Sequence, residues 1–240
     1  LALLAEFDAR TGEGVRDVME FAAEIPTRAM VRLLGLPDGD HVRFKNWANA
    51  FMLSSDMTPE ERMASNAEMV QAFTERVIEH GGRLDDEQDV EEAEDLISAL
   101  LRAELDGQRL TPEQVVRFCV TLVVAGSETT TYLIGSVLHA LAREPAVAAR
   151  VRVDRSLVGT FIEEVARLTG PQRLFRIATR DVEIDGAHIR KGEWVALFFG
   201  SANHDPAVFP DPGRLDLDRR DRGPCGDPRE RARGVERDFG

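Results

Sequence analysis

Cysteine is nearly absent: Cys119 and Cys225 are the two in 240 residues. They are far apart in the chain, with no second pair to build a metal clip and too few for a disulfide framework. The five histidines are scattered without ligand spacing. Positive charge is outweighed, with 30 Lys and Arg against 43 Asp and Glu, a net charge of −13, which argues against nucleic acid as the main partner. No basic segment followed by an apolar run marks a signal peptide, and on this reading no apolar run approaches membrane-spanning length. The chain is therefore expected to be soluble and cytoplasmic, with no membrane partner. It begins with Leu rather than Met, which suggests a fragment or a processed chain.

With 43% hydrophobic residues, the chain has enough apolar material for one large domain or two small ones. Its organising stretch is Thr111 to Arg143, expected to be one long helix. Thr111, Pro112 and Glu113 give a start signal of hydroxyl cap, first-turn proline and early acid. Between Phe118 and Leu141 the apolar positions run nearly all the way round, as in a helix through a domain centre. The middle of that helix interrupts the pattern with Ala125, Gly126, Ser127, Glu128, Thr129 and Thr130. Ala125 and Gly126 would let a large flat group approach the backbone, and Thr129 lies on the face of Ala125. The Thr129 hydroxyl can bond back to the Ala125 carbonyl, which predicts a locally widened or kinked helix with a polar groove for a small ligand and water. The alternative is a helix crossing eased by small residues, with Glu128 paired to an arginine.

The first third reads as helical. Apolar positions from Gly14 to Leu36 keep helical spacing, with Pro26 a candidate start of a new helix and Gly35 and Pro37 ending it. A second helix spans Asp40 to Leu53 with Phe44, Trp47, Ala48 and Phe51 on one face. Thr58 to Glu61 opens a third, lasting to about His80. The acidic stretch from Gly81 to Asp95 reads as a solvated loop, followed by a short helix at Leu96 to Leu105 and a turn at Asp106-Gly107 into the central helix. Beyond it, Ala146 to Val151 and Ser156 to Leu168 are helical.

Past Gly170 and Pro171 the period drops to about two. Leu174 to Ala178, Val182 to Ile184, His188-Ile189 and Glu193 to Phe199 read as short strands, with turns at Asp185-Gly186 and Lys191-Gly192. A coil rich in Pro and Asp follows, SANHDPAVFPDPGRLDLDR. The expected class is mainly α with a small β region (α+β). Glu164 and Arg167, three apart on a helix, have the spacing of an intrahelical ion pair, which on its own reads as a solvated salt bridge.

Four of these signals occur together in order: AGSETT, then Glu164-Val165-Ala166-Arg167, then FRIATRDVEIDG, then ANHDPAVFPDPGRLDLDR. With LLGLPDGDHVRF upstream, the chain resembles the bacterial cytochrome P-450 family from about Gly14 to Arg219. The resemblance implies a mostly helical fold holding haem b between the central helix and a cysteine-bearing loop. It implies that Ala125 and Gly126 lie against the haem, that the groove at Thr129 holds dioxygen, and that Glu128 and Thr129 are the acid-alcohol pair that delivers protons. It places Arg176 as a haem-propionate ligand, with a solvent-facing strand arginine as the alternative. It makes Glu164, Arg167 and Arg214 a structural ion network, in which a buried carboxylate is shared by two guanidinium groups. The implied partners are a small or medium organic substrate, dioxygen and a ferredoxin- or flavodoxin-type electron donor.

The departures shape the expectation further. The family's chains are much longer, so residues 1–218 are expected to form a partial domain, with a helical body at 1–170 and a β region and late loop at 171–218. The family's F-G-x-G-x-H-x-C-x-G loop, whose thiolate binds iron, does not occur in the sequence. The 219–240 tail instead holds Cys225 in PCGD and Asp238 where spacing would put the thiolate. No metal ligand is identifiable beyond Cys225 as a candidate, and the tail has the composition of a disordered or frame-shifted segment. Three functions are therefore carried: a haem-thiolate monooxygenase represented by a partial chain, an inactive remnant of that family, and a haem-free helical module that buries a small molecule.

Overall fold

A computed structural model of the chain describes residues 17–51, 56–84, 95–170 and 173–219. Among the described residues the architecture is mainly helical with three small two-stranded sheets, the α+β class expected from the sequence. The chain divides into two compact units, Leu1–Gly135 and Ser136–Gly240.

In the first unit, α1 (Val18–Leu33) starts at Asp17, whose carboxylate accepts from the Met19 N–H at 2.8 Å. Pro26 lies inside this helix and does not begin a new one. Losing one ladder bond is tolerated because the surrounding Ala22, Met30 and Val31 are buried. The helix stops at Gly35, which takes φ +62°, and the Leu36 N–H reaches back to the Val31 carbonyl at 2.9 Å.

A single 3-10 turn at Asp38–Asp40 leads into α2 (His41–Phe51). Phe44, Trp47 and Ala48 are buried as their spacing predicts, but Phe51, at the end of the helix, is exposed and Ala50 is buried. Leu53, the expected end of this helix, falls outside the described residues.

Helix α3 (Pro59–Leu84) opens with a reciprocal cap: Thr58 Oγ1 accepts from the Glu61 N–H, and the Glu61 carboxylate accepts from the Thr58 N–H. It runs past His80, so residues 81–84, expected as loop, are helical. Asp95 caps α4 (Leu96–Arg102), which ends earlier than expected because the next residues form a hairpin, β1 (Glu104–Leu105) with β2 (Gln108–Arg109). Asp106 and Gly107 both take positive φ at its turn.

The central helix, α5 (Pro112–Arg143), is 32 residues long, about 48 Å. Thr111 and Gln114 cap it reciprocally. By length and composition it is apolar enough to cross a bilayer, which corrects the expectation that no run approaches that length. Its Val115, Val116, Cys119 and Val123 are nevertheless core residues, packed in one cluster with Leu34, Trp47, Phe73, Val77 and Ile97.

In the second unit, α6 (Pro145–Val153) begins with its proline in the first turn, where no N–H is needed. A 3-10 turn at Arg155–Leu157 precedes α7 (Val158–Thr169), whose Phe161, Glu164, Val165 and Arg167 form the buried face. Strand β3 (Arg173–Ile177) pairs antiparallel with β6 (Trp194–Phe198), in register Phe175 to Ala196. Between them β4 (Val182–Ile184) and β5 (Ala187–Ile189) form a hairpin whose turn is Asp185-Gly186, both at positive φ. A short α8 (Phe199–Ala202) then leads into the irregular loop from 203 to 219.

Candidate functional site

Glu164 and Arg167 stand one turn apart on α7, 4% and 5% exposed, so they are not a solvated surface pair. Arg167 donates twice to the Glu164 carboxylate, from Nε to Oε1 at 2.9 Å and from Nη2 to Oε2 at 3.1 Å. Its Nη1 donates to the carbonyls of Asn203 and Pro212 at 2.9 and 2.6 Å, and Nη2 reaches the Arg214 carbonyl at 3.1 Å. The guanidinium lies 5.2 Å from the centre of the Phe209 ring. One planar cation thereby fixes three carbonyls of the late loop against the helix, a task suited to its fork of donors.

The second guanidinium on Glu164 belongs to Arg219, whose Nε donates to Oε1 at 3.0 Å. This corrects the assignment of that role to Arg214. The Arg214 side chain is exposed, and its contribution is its backbone carbonyl, shared by Arg167 and Arg219. The Asp216 N–H completes the carboxylate shell at 3.1 Å, and Arg219 continues to the Pro210 carbonyl at 2.7 Å. Burial alone would push the Glu164 carboxyl up, but the Arg167, Asp216 and Arg219 bonds outweigh it and hold the carboxyl below its ordinary value. Arg219, assigned from composition to the tail, is thus buried with the body. Outside this core, Arg150 of α6 makes a bidentate pair with Asp218 at 2.9 and 2.8 Å.

On α5 the interruption splits by face. The Thr129 hydroxyl donates to the Ala125 carbonyl at 2.6 Å, as its spacing suggested. Ala125 and Thr129 are exposed and Glu128 half-buried. The turn is not widened, since α5 is α-helical without a break; a carbonyl oxygen has two lone pairs and can accept the hydroxyl beside the ladder N–H. Gly126 faces the other way, where a Cβ would stand 2.9 Å from Met30 Sδ of α1. Its lack of a side chain therefore lets two helices cross, the alternative that the sequence left open. Ser127 is buried beside it, with a hydroxyl that has no hydrogen-bond partner.

Arg176 is exposed on β3, and its Nη1 donates to the Phe175 carbonyl at 3.0 Å. A cleft of about 730 Å³ lies between α3 and the start of α5, lined by Val70, Val77, Ile78, Val116 and Val120. Ile78 is 67% exposed, so this is an open groove and not the deeply buried pocket expected of a haem-free binding module.

A haem-thiolate iron needs a deprotonated cysteine in a shielded loop. Cys119 does not fit: it sits in the packed core of the first unit, and burial, with the nearby Asp95 charge, pushes its thiol up to about 11. Cys225 and Asp238 lie outside the described residues. Among the described residues no group of three or more His, Cys, Asp and Glu is placed to hold a metal. The described residues thus supply the helix and the ion network but no thiolate.

The family model described as "Cytochrome P450" matches residues 40–222. Mycinamicin IV hydroxylase/epoxidase of Micromonospora griseorubida is 34% identical over 214 residues, 88% of this chain and 52% of its own length. Cytochrome P450 monooxygenase PikC of Streptomyces venezuelae is 35% identical over 224 residues, 92% of this chain and 50% of that protein. The chain spans about half the length of these curated relatives. Among solved structures, CYP109E1 of Bacillus megaterium, in complex with testosterone, superposes with a TM-score of 0.80 at 32% identity, covering 91% of this chain and 58% of that one. A family model spanning most of the chain, relatives above 30% identity and the buried Glu-x-x-Arg network agree, and the chain belongs to the cytochrome P-450 family.

Proposed function

We propose that this chain is a segment of a haem-dependent monooxygenase. In the complete protein it would act in the cytoplasm, hydroxylating a small or medium organic substrate with dioxygen and electrons from a ferredoxin- or flavodoxin-type donor. The observation that carries the reading is the Thr129 hydroxyl on the exposed face of α5, donating its proton to the Ala125 carbonyl. With the hydrogen committed to the helix, the oxygen's lone pairs face outward and can accept a hydrogen bond from water or another donor. Glu128, next in sequence and half-buried, is the acid proposed to exchange a proton with such a water. A positioned hydroxyl and carboxylate of this kind suit controlled proton delivery. Ala125, on the exposed face of α5, is proposed as the backbone approached by haem b, and Arg176 as a cation for its acidic edge; Gly126, packed against Met30, is not part of that surface. Support for the substrate class comes from relatives whose names give mycinamicin IV and cyclomarin C as what they oxidise, and from one with bound testosterone.

The second reading, an inactive remnant, rests on the sequence, in which the family's F-G-x-G-x-H-x-C-x-G loop does not occur. An exchange experiment separates the two. Residues 17–219 would replace the matching segment of PikC, keeping the remainder of that protein and its own cysteine loop, with assay on that enzyme's substrate. A competent segment gives measurable product, and Thr129→Ala in the same chimera lowers turnover by about a hundredfold, the scale of a lost acid-base group. A chimera that takes up haem but gives no product, with or without the Thr129 hydroxyl, supports the remnant.

A further inference from the structure

A second buried polar cluster lies in the first unit, well separated in sequence from Glu128 and Thr129. His80, near the end of α3, is 7% exposed. Its Nδ1 lies 2.7 Å from the Arg76 carbonyl and its Nε2 2.8 Å from Asp95 Oδ2. The other Asp95 oxygen accepts from the Ser98 N–H at 2.9 Å, which caps α4. The carboxylate is packed against Gly35, at positive φ, so closely that any side chain there would collide with it. The Gly35 carbonyl in turn accepts from Arg76 Nη2. Four stretches of chain meet here: the end of α1, the last turns of α3, the cap of α4 and Cys119 of α5, whose thiol feels the Asp95 charge.

Both imidazole nitrogens face acceptors. A peptide carbonyl only accepts, and so does an ionised carboxylate, whereas a neutral imidazole has one N–H. A neutral ring would turn a lone pair toward one of these two oxygens, in a site with little water to compensate. We propose that His80 and Asp95 form a pH-responsive clasp tying the end of α3 to the start of α4, closed while the ring carries both protons and the carboxylate none.

Among the described residues, the following groups pack around the ring. Arg76, on the same helix, is engaged by Gly35 and by Glu79 at 3.0 Å. Asp95 comes from α4, the Cys119 thiol from α5, and the end of α1 presents the Gly35 carbonyl. On the acid side the clasp is protected. Burial alone would push the Asp95 carboxyl up, but the Ser98 N–H and His80 hold it below its usual value, so its contribution is lost only as pH falls through that lowered value. A ring lacking either proton would leave one of the two acceptors unpaired, so the clasp depends on the doubly protonated imidazole.

The test uses the full 240-residue chain. Ring 15N shifts of His80, assigned through bonds, are followed from about pH 5 to 9, across the imidazole range. Urea unfolding is compared at about pH 6 and 8.5 for the wild type, His80→Gln and Asp95→Asn; the last keeps an oxygen for the Ser98 cap. The wild-type unfolding constant is expected to rise by about tenfold more than that of either variant over this interval, as one charge-assisted bond is lost. Equal pH responses in all three proteins would overturn the clasp. If neither variant folds, the 15N titration decides: two protonated ring nitrogens at pH 6 support it, and a single neutral tautomer there overturns it.

Discussion

Replacing Glu164 with alanine should destabilise the second unit by about 3–5 kcal/mol, the usual consequence of leaving buried charge without its counterpart. Arg167 and Arg219 are 5% and 7% exposed, and both depend on the same carboxylate, which also holds the Asp216 N–H. Glu164→Gln is the milder change, because the amide keeps one acceptor oxygen while placing a donor against a guanidinium. Urea denaturation followed by circular dichroism reads the effect as a lowered midpoint with little change in slope. The pH dependence has a fixed sign. The Glu164 carboxyl is held below its ordinary value, so its contribution is complete above the unfolded carboxyl range of about 4.3 and disappears as pH falls through the folded value. Glu164→Ala should therefore be less sensitive to acid than the wild type. Equal acid sensitivity in the two proteins would mean that the carboxylate is not the charge that matters.

Arg219→Met should cost nearly as much, about 3 kcal/mol or more, whereas Arg214→Met should stay within about 0.5 kcal/mol of wild type, as an exposed substitution. The two arginines lie five apart in one loop, but only the Arg219 guanidinium reaches Glu164, at 3.0 Å. Arg214 serves through its carbonyl, which methionine retains. Paired thermal melts of the two variants measure the contrast. Comparable losses would show that the Arg214 side chain carries part of the network after all.

That contrast also marks where sequence reasoning stops. The loop PDPGRLDLDR contains two arginines that satisfy the same pattern, and choosing between them requires the path of the loop around α7, set by the carbonyls of Asn203, Pro212 and Arg214. The spacing of Glu164 and Arg167 was legible, but a pair three apart looks the same on a surface as in a core. The caps at Thr58 and Thr111 could be read because their partners lie three residues away. Asp106-Gly107 carries the signal that identified the hairpin at Asp185-Gly186, but its strands are two residues each, too short for alternation to show. Gly126 could be singled out as a close approach, yet its neighbour, Met30, is almost a hundred positions away, and nothing local distinguishes a helix from a flat ligand there. His80 and Asp95 gave no sequence signal, since lone residues flanking an acidic stretch ordinarily remain in solvent.

The account holds that this chain carries the family's central helix and ion network, and that among the described residues no cysteine is suited to bind haem iron. The ferrous carbon monoxide spectrum of the chain, expressed as it stands and supplied with haem, tests this directly. The expected result is weak haem uptake and no red-shifted band of thiolate ligation, unchanged in Cys119→Ser and Cys225→Ser. A stable thiolate-type band that disappears in Cys225→Ser would contradict it and make Cys225 the ligand.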